Sequence, residues 1–148
     1  MAKQTLIPDL IENFWETIPP AWHATRAQIR AVAAEKFHLT VEQFQVLRRI
    51  RKGIDSVSAL AEANRTSRSS VSKAVDALVN KGLVSRSTDA SDRRRVHLSL
   101  IGEGECVLSA IYAETEAWLA ARCARLTPEE LTETLHSLDL LRKAFAED

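Results

Sequence analysis

Apolar residues along this chain recur at helical spacing over most of its length and switch to an alternating period only near residue 96. Ile7, Leu10, Ile11, Phe14, Trp15 and Ile18 mark one face of a first amphipathic helix, with Asp9, Glu12, Asn13 and Glu16 on its other side. Pro19 and Pro20 are expected to end that helix, because neither can donate a backbone N–H and each restricts the residue before it. A second helix is then predicted from about Ala21 to Lys36.

Leu39-Thr40-Val41-Glu42-Gln43 reads as a helix start, with Thr40 as N-cap and Gln43 reaching back in a capping box. Phe44, Leu47 and Ile50 form its inner face, and Gly53 lets the chain leave it. Asp55 or Ser56 can cap a short helix carrying Val57, Leu60 and Ala61, after which Asn64, Arg65 and Thr66 form a polar turn. From Ser67 the pattern is sharpest: Val71, Ala74, Val75, Leu78 and Val79 fall on one stripe, and Gly82 follows as a C-cap. Leu83-Val84 begins a strand, residues 87–95 contain no large apolar side chain, and Val96, Leu98 and Leu100 alternate with His97 and Ser99. A hairpin with a polar tip is implied.

Gly102 and Gly104 mark a junction before a long helix bearing Val107, Leu108, Ile111, Trp118 and Leu119. Thr127-Pro128-Glu129-Glu130 starts the last helix, whose apolar face is Leu131, Leu135, Leu138, Leu141 and Phe145. The fold class that follows is mostly α with a small β-hairpin wing (α+β), a winged helix-turn-helix with N- and C-terminal dimerisation helices. The winged helix-turn-helix should occupy residues 37–101 of a single compact domain, and residues 1–36 and 102–148 a helical dimerisation region. The outer helices carry apolar stripes that need a partner, and a second copy of the chain provides one.

Charge changes the picture through its distribution. The chain has 20 Lys and Arg against 20 Asp and Glu. Residues 1–50 hold 6 basic and 5 acidic side chains, residues 51–100 hold 10 and 5, and residues 101–148 hold 4 and 10. A basic middle suits a polyanion. No apolar run is long enough to span a bilayer and Asp9, Glu12 and Glu16 interrupt any signal-like start, so a cytoplasmic protein without a membrane partner is expected. Cys106 and Cys123 lack a metal-ligand spacing and are expected as buried thiols.

With the Val71 stripe facing the core, Ser69, Ser72, Lys73 and Asp76 fall on the opposite side of their helix, and Ser67, Arg68 and Ser70 lie at its entrance. Taken singly, each serine is explained by capping and solvation. Together, short hydroxyls, Arg68, Lys73 and a helix N-terminus suit a DNA groove. At the hairpin tip, Asp92-Arg93-Arg94-Arg95 sets three adjacent guanidiniums on a narrow projection that fits a minor groove, with Asp92 holding one arginine in position.

These residues resemble the MarR family of bacterial multiple-antibiotic-resistance-type regulators. The resemblance is carried by residues 39–47, 67–72 and 78–84, and by Asp92-Arg93-Arg94, where Asp92 and Arg94 match the family's D-x-R wing motif. It implies a minor-groove arginine at Arg94, a positioning carboxylate at Asp92, a palindromic double-stranded DNA operator, a homodimer, and release from DNA by a small apolar or phenolic effector. Trp22, Phe37 and Trp118 are the candidate effector pocket. Two positions depart from the family: Arg65 stands where the turn commonly has glycine, with a phosphate contact or plain solvation as its role, and Ile101 replaces the usual threonine before the next helix.

A protein-interaction module without DNA binding is the competing reading. An enzyme is not expected: His23, His38, His97 and His136 form no HExxH pair, and no phosphate loop or GxSxG serine occurs. Nothing calls for a metal or a cofactor.

Overall fold

The computed structural model describes residues 2–146, with side chains from residue 4 onward. Helix α1 (Ala2–Phe37) runs unbroken through Pro8, Pro19 and Pro20, so the expected break does not occur. Proline's fixed φ lies within the helical range, and each ring costs the helix one hydrogen bond, on the order of 3 kcal/mol. The carbonyls that lose partners belong to exposed Gln4, Trp15 and Glu16, where water can take the vacant place.

His38, at φ 53°, ends α1, with Leu39 N–H donating to the Ala33 carbonyl at 3.0 Å. Thr40 caps α2 (Val41–Arg51): its Oγ accepts from Gln43 N–H and Gln43 Oε1 accepts from Thr40 N–H, both at 3.1 Å. Ser56, not Asp55, caps α3 (Val57–Asn64). Asp55 instead faces the hairpin, its carbonyl accepting from Leu98 N–H at 2.8 Å. The turn after α3 is tighter than expected, since Asn64 is still helical and Arg65 alone, at φ 52°, reverses the chain.

Helix α4 (Arg68–Asn80) begins at Ser67, whose Oγ accepts from Ser70 N–H at 3.1 Å. It buries Val71, Ala74, Val75 and Leu78, and Gly82 at φ 72° follows its end. Strands β1 (Val84–Thr88) and β2 (Val96–Leu100) pair antiparallel, with Val84 opposite Leu100 and Thr88 opposite Val96. Gly102 and Gly104 lie inside the first turn of α5 (Gly102–Cys123). A Cβ on Gly104 would stand 2.3 Å from the Leu83 carbonyl oxygen, so only glycine lets α5 pass this close to the entry of β1.

The core gathers Leu47, Leu60, Val75, Leu78, Leu108 and Ile111, with Val32 and Ala33 of α1 and Val84 and Leu98 of the hairpin. All of these belong to the first of two compact units, residues 1–115; residues 116–148 form the second. In the second unit Thr127 and Glu130 close the expected capping box of α6 (Pro128–Ala144), at 2.8 and 3.2 Å. Helix α6 buries no residue.

Cys106 and Cys123 are exposed rather than buried. Helix α5 buries Gly104, Leu108, Ile111 and Thr115; Cys106 falls off that stripe and Cys123 is the last helical residue. No helix among the described residues is long and apolar enough to cross a membrane.

Candidate nucleic-acid interface

Because α4 turns its valines and Leu78 inward, the residues left outside are fixed by geometry. Arg68, Ser69 and Lys73 are exposed and Ser72 is half-buried. Two of the serines have structural partners: Ser67 is the N-cap, and half-buried Ser70 donates from Oγ to Glu42 Oε2 of α2 at 2.6 Å. Asp76 forms an ion pair with Arg86 of β1. The ion pair links the outward face of α4 to the hairpin.

The hairpin tip is held by two aspartates acting on backbone. Asp89 Oδ1 accepts from Ser91 N–H at 3.0 Å and from Ser91 Oγ at 2.8 Å, while Asp89 N–H donates to the Arg95 carbonyl at 3.0 Å. These bonds, the backbone one first and the hydroxyl one second, hold the Asp89 carboxyl below its ordinary pKa, with His97 adding a smaller attraction. Asp92 does the same one step on: its Oδ1 accepts from Arg94 N–H, and its carbonyl from Arg95 N–H, both at 3.0 Å. The Asp92 carboxylate thus meets the backbone of Arg94, because a two-residue spacing brings it to that amide before it can reach a long side chain. Arg93, Arg94 and Arg95 are all exposed, and none forms an ion pair among the described residues.

His97 fastens the hairpin to the rest of the unit. Its Nδ1 lies 2.9 Å from Asp55 Oδ2 and its Nε2 3.9 Å from Asp89 Oδ2. Between these elements lies a cleft of about 470 Å³ lined by Ser56, Ser58, Arg68, Arg86, Arg94 and Arg95, among others. Arg68 comes from the start of α4, Arg86 from β1 and the last two from the tip, so two features far apart in sequence share one concave surface. Arg86 and Ser58 were not singled out from sequence. Arg86 owes its place to pairing with Leu98 opposite and to Asp76 on α4, neither of which periodicity reveals. Ser58 gave no signal beyond standing in the first turn of a short helix.

Trp22 is exposed and lines a groove of about 370 Å³ with Arg26, Ile29, Phe44, Arg48 and Tyr112. Phe37 packs against the core and does not line that groove. Trp118 belongs to the second unit, where Arg122 stacks over its ring at 4.1 Å.

A sequence model described as the MarR family matches residues 38–95. The HTH-type transcriptional repressor MdtR of Bacillus subtilis is 33% identical over 115 residues, covering 77% of this chain and 74% of that protein. The chain belongs to the MarR family. It is a transcriptional regulator of that family and not an enzyme. Solved structures bear the same fold. The transcriptional regulator Tm0710 from Thermotoga maritima superposes with a TM-score of 0.81 at 22% identity, covering 90% of this chain and 94% of that one. A mutant of S. aureus MepR bound to an oligodeoxyribonucleotide gives a TM-score of 0.72 at 20% identity, covering 90% and 98%.

Proposed function

We propose that this member of the family works as a homodimer that binds a palindromic duplex operator sequence-specifically, represses transcription there, and is released by a small apolar or phenolic effector. The observation that carries the DNA reading is the shared cleft, where Arg68 of α4 and Arg94 and Arg95 of the hairpin tip converge. A major groove receives the exposed face of α4, with Ser69, Ser72 and Lys73 against bases or phosphates and Arg68 at the entrance. Ser67 and Ser70 order the helix start, and Arg65 at the turn adds a phosphate contact. Arg94, flanked by Arg93 and Arg95, enters the adjacent minor groove, and Asp92 shapes the turn that projects it. The relative named a repressor and the solved DNA-bound relative favour the same reading.

Exposed apolar stripes support the homodimer. Leu6, Ile7, Leu10 and Ile11 of α1 and Leu135 and Leu138 of α6 all lie open to solvent in the single chain. The helical dimerisation region then comprises residues 1–36 and 102–148, and two winged units face half-sites about 34–36 Å apart. The groove beside Trp22 offers aromatic and aliphatic walls to an effector; Phe37 and Trp118 remain candidates for its surroundings.

Selection of bound sequences from random duplexes tests the reading first, since a protein with no sequence preference ends it. On the selected operator, Arg94→Ala is expected to weaken binding and to lower the salt slope by roughly one counterion. Repression and effector release are tested by a reporter carrying that operator.

A further inference from the structure

A second basic surface is built from α1, α2 and the turn after α3, outside both the outward face of α4 and the hairpin. Arg26, Arg48, Arg49 and Arg65 line one cleft of about 690 Å³. Glu42 is the single acidic residue in that lining, and its Oε2 is bonded to Ser70. None of the four arginines forms an ion pair among the described residues. Their contacts are with neutral groups: Arg26 stands 5.9 Å from the centre of the Trp22 ring, Arg48 Nη2 donates to Gln45 Oε1 at 3.3 Å, and Arg49 Nε donates to Asn64 Oδ1. Such contacts orient guanidiniums without neutralising them.

The cleft adjoins the start of α4. Thr66, one residue before the Ser67 cap, is part of its lining, and the Glu42–Ser70 bond joins its α2 wall to the first turn of α4. We infer that this cleft is a phosphate-tracking surface for duplex DNA, taking backbone beyond the base pairs read by α4. Four arginines against one glutamate leave the cleft with an excess of positive charge, a local field that favours a polyanion. Arginine's planar fork is suited to phosphate oxygens. The inference rests on the DNA-binding reading and adds Arg26, Arg48 and Arg49 to the contacts, as groups that set affinity and register but carry no base information.

The test measures the whole 148-residue chain by fluorescence anisotropy against its selected operator and a scrambled duplex of the same length, over a range of salt and with no small molecule added. Arg26→Gln combined with Arg48→Gln is expected to weaken both duplexes roughly tenfold, to lower the salt slope by about two, and to leave their ratio unchanged. Arg26→Lys with Arg48→Lys, which keeps the charges, is expected to retain most of the slope. Two results overturn the inference while leaving the DNA reading intact: an unchanged slope in the glutamine variant, or the same loss in the lysine variant. Wild-type protein that binds no duplex at all removes the DNA reading and this inference with it.

Discussion

Helices α2 and α6 begin with the same device and end in opposite circumstances. Thr40 with Gln43, and Thr127 with Glu130, each close a capping box of nearly equal dimensions. Yet α2 buries Phe44, Val46, Leu47 and Ile50, whereas α6 buries nothing. Leu78 of the winged core is fully enclosed, while Leu135 is 68% exposed. Where a helix starts is decided within a few residues by its cap; burial of its stripe is decided by what else is present. The winged core finds its partners inside the chain, and the proposed dimer supplies them for the outer helices.

The largest break in this contrast comes from the core side. Leu78→Ala removes a fully enclosed side chain of the winged core, and is expected to destabilise the fold by about 3 kcal/mol. Urea unfolding followed by circular dichroism measures it. A loss under about 1 kcal/mol would mean that the winged core is less closely packed than its burial implies.

Gly104→Ala tests the same core where it meets backbone. The added methyl must displace the Leu83 carbonyl, which also accepts from Ile101 N–H at 3.0 Å, so the helix start and the strand entry move together. A loss of about 2 kcal/mol is expected. A neutral result in the same urea titration would show that α5 can back away from β1 freely.

Leu135→Ser sharpens the other side. In the single chain the side chain is already solvated, so the unfolding free energy of a dilute monomer should hardly move. If two copies bury it, the dimer dissociation constant rises about tenfold, near 1.4 kcal/mol, in sedimentation equilibrium. An unaltered constant excludes this face of α6 from the interface.

What could be read from residue order follows the same division. Period and caps made α2, α4 and α6 legible, because Thr40, Ser67 and Thr127 act on amides three residues away. The element order and the basic tip were legible for the same reason. Pro19-Pro20 misled, because proline's local cost competes with a ladder that continues on both sides and with water at exposed carbonyls. For Asp92, residue order does not say which part of an arginine it meets; the structure has the backbone amide of Arg94, two residues away. Arg86, and the cleft that joins Arg68 to Arg94, depend on a strand pairing and a helix crossing between distant residues, and no local pattern encodes either.

The hairpin tip belongs to neither side of the comparison, since it is exposed and yet ordered by short hydrogen bonds rather than by apolar burial. Asp89 reports on this. Its carboxyl is held below the ordinary value of 3.8 chiefly by the Ser91 amide, next by the Ser91 hydroxyl. A depressed folded-state pKa stabilises the tip at pH above the unfolded value, and the contribution disappears as pH falls through the folded value. Ser91→Ala deletes the hydroxyl bond and keeps the amide bond, so the Asp89 pKa should rise part of the way and stay below 3.8. Carboxyl chemical shifts followed by NMR against pH read this directly. A pKa that does not move would show that the hydroxyl contributes nothing, and one that reaches the full ordinary value would show that the amide bond fails without it. The partial rise is the outcome expected if the loop keeps its own shape, independent of both the core beneath it and any partner above.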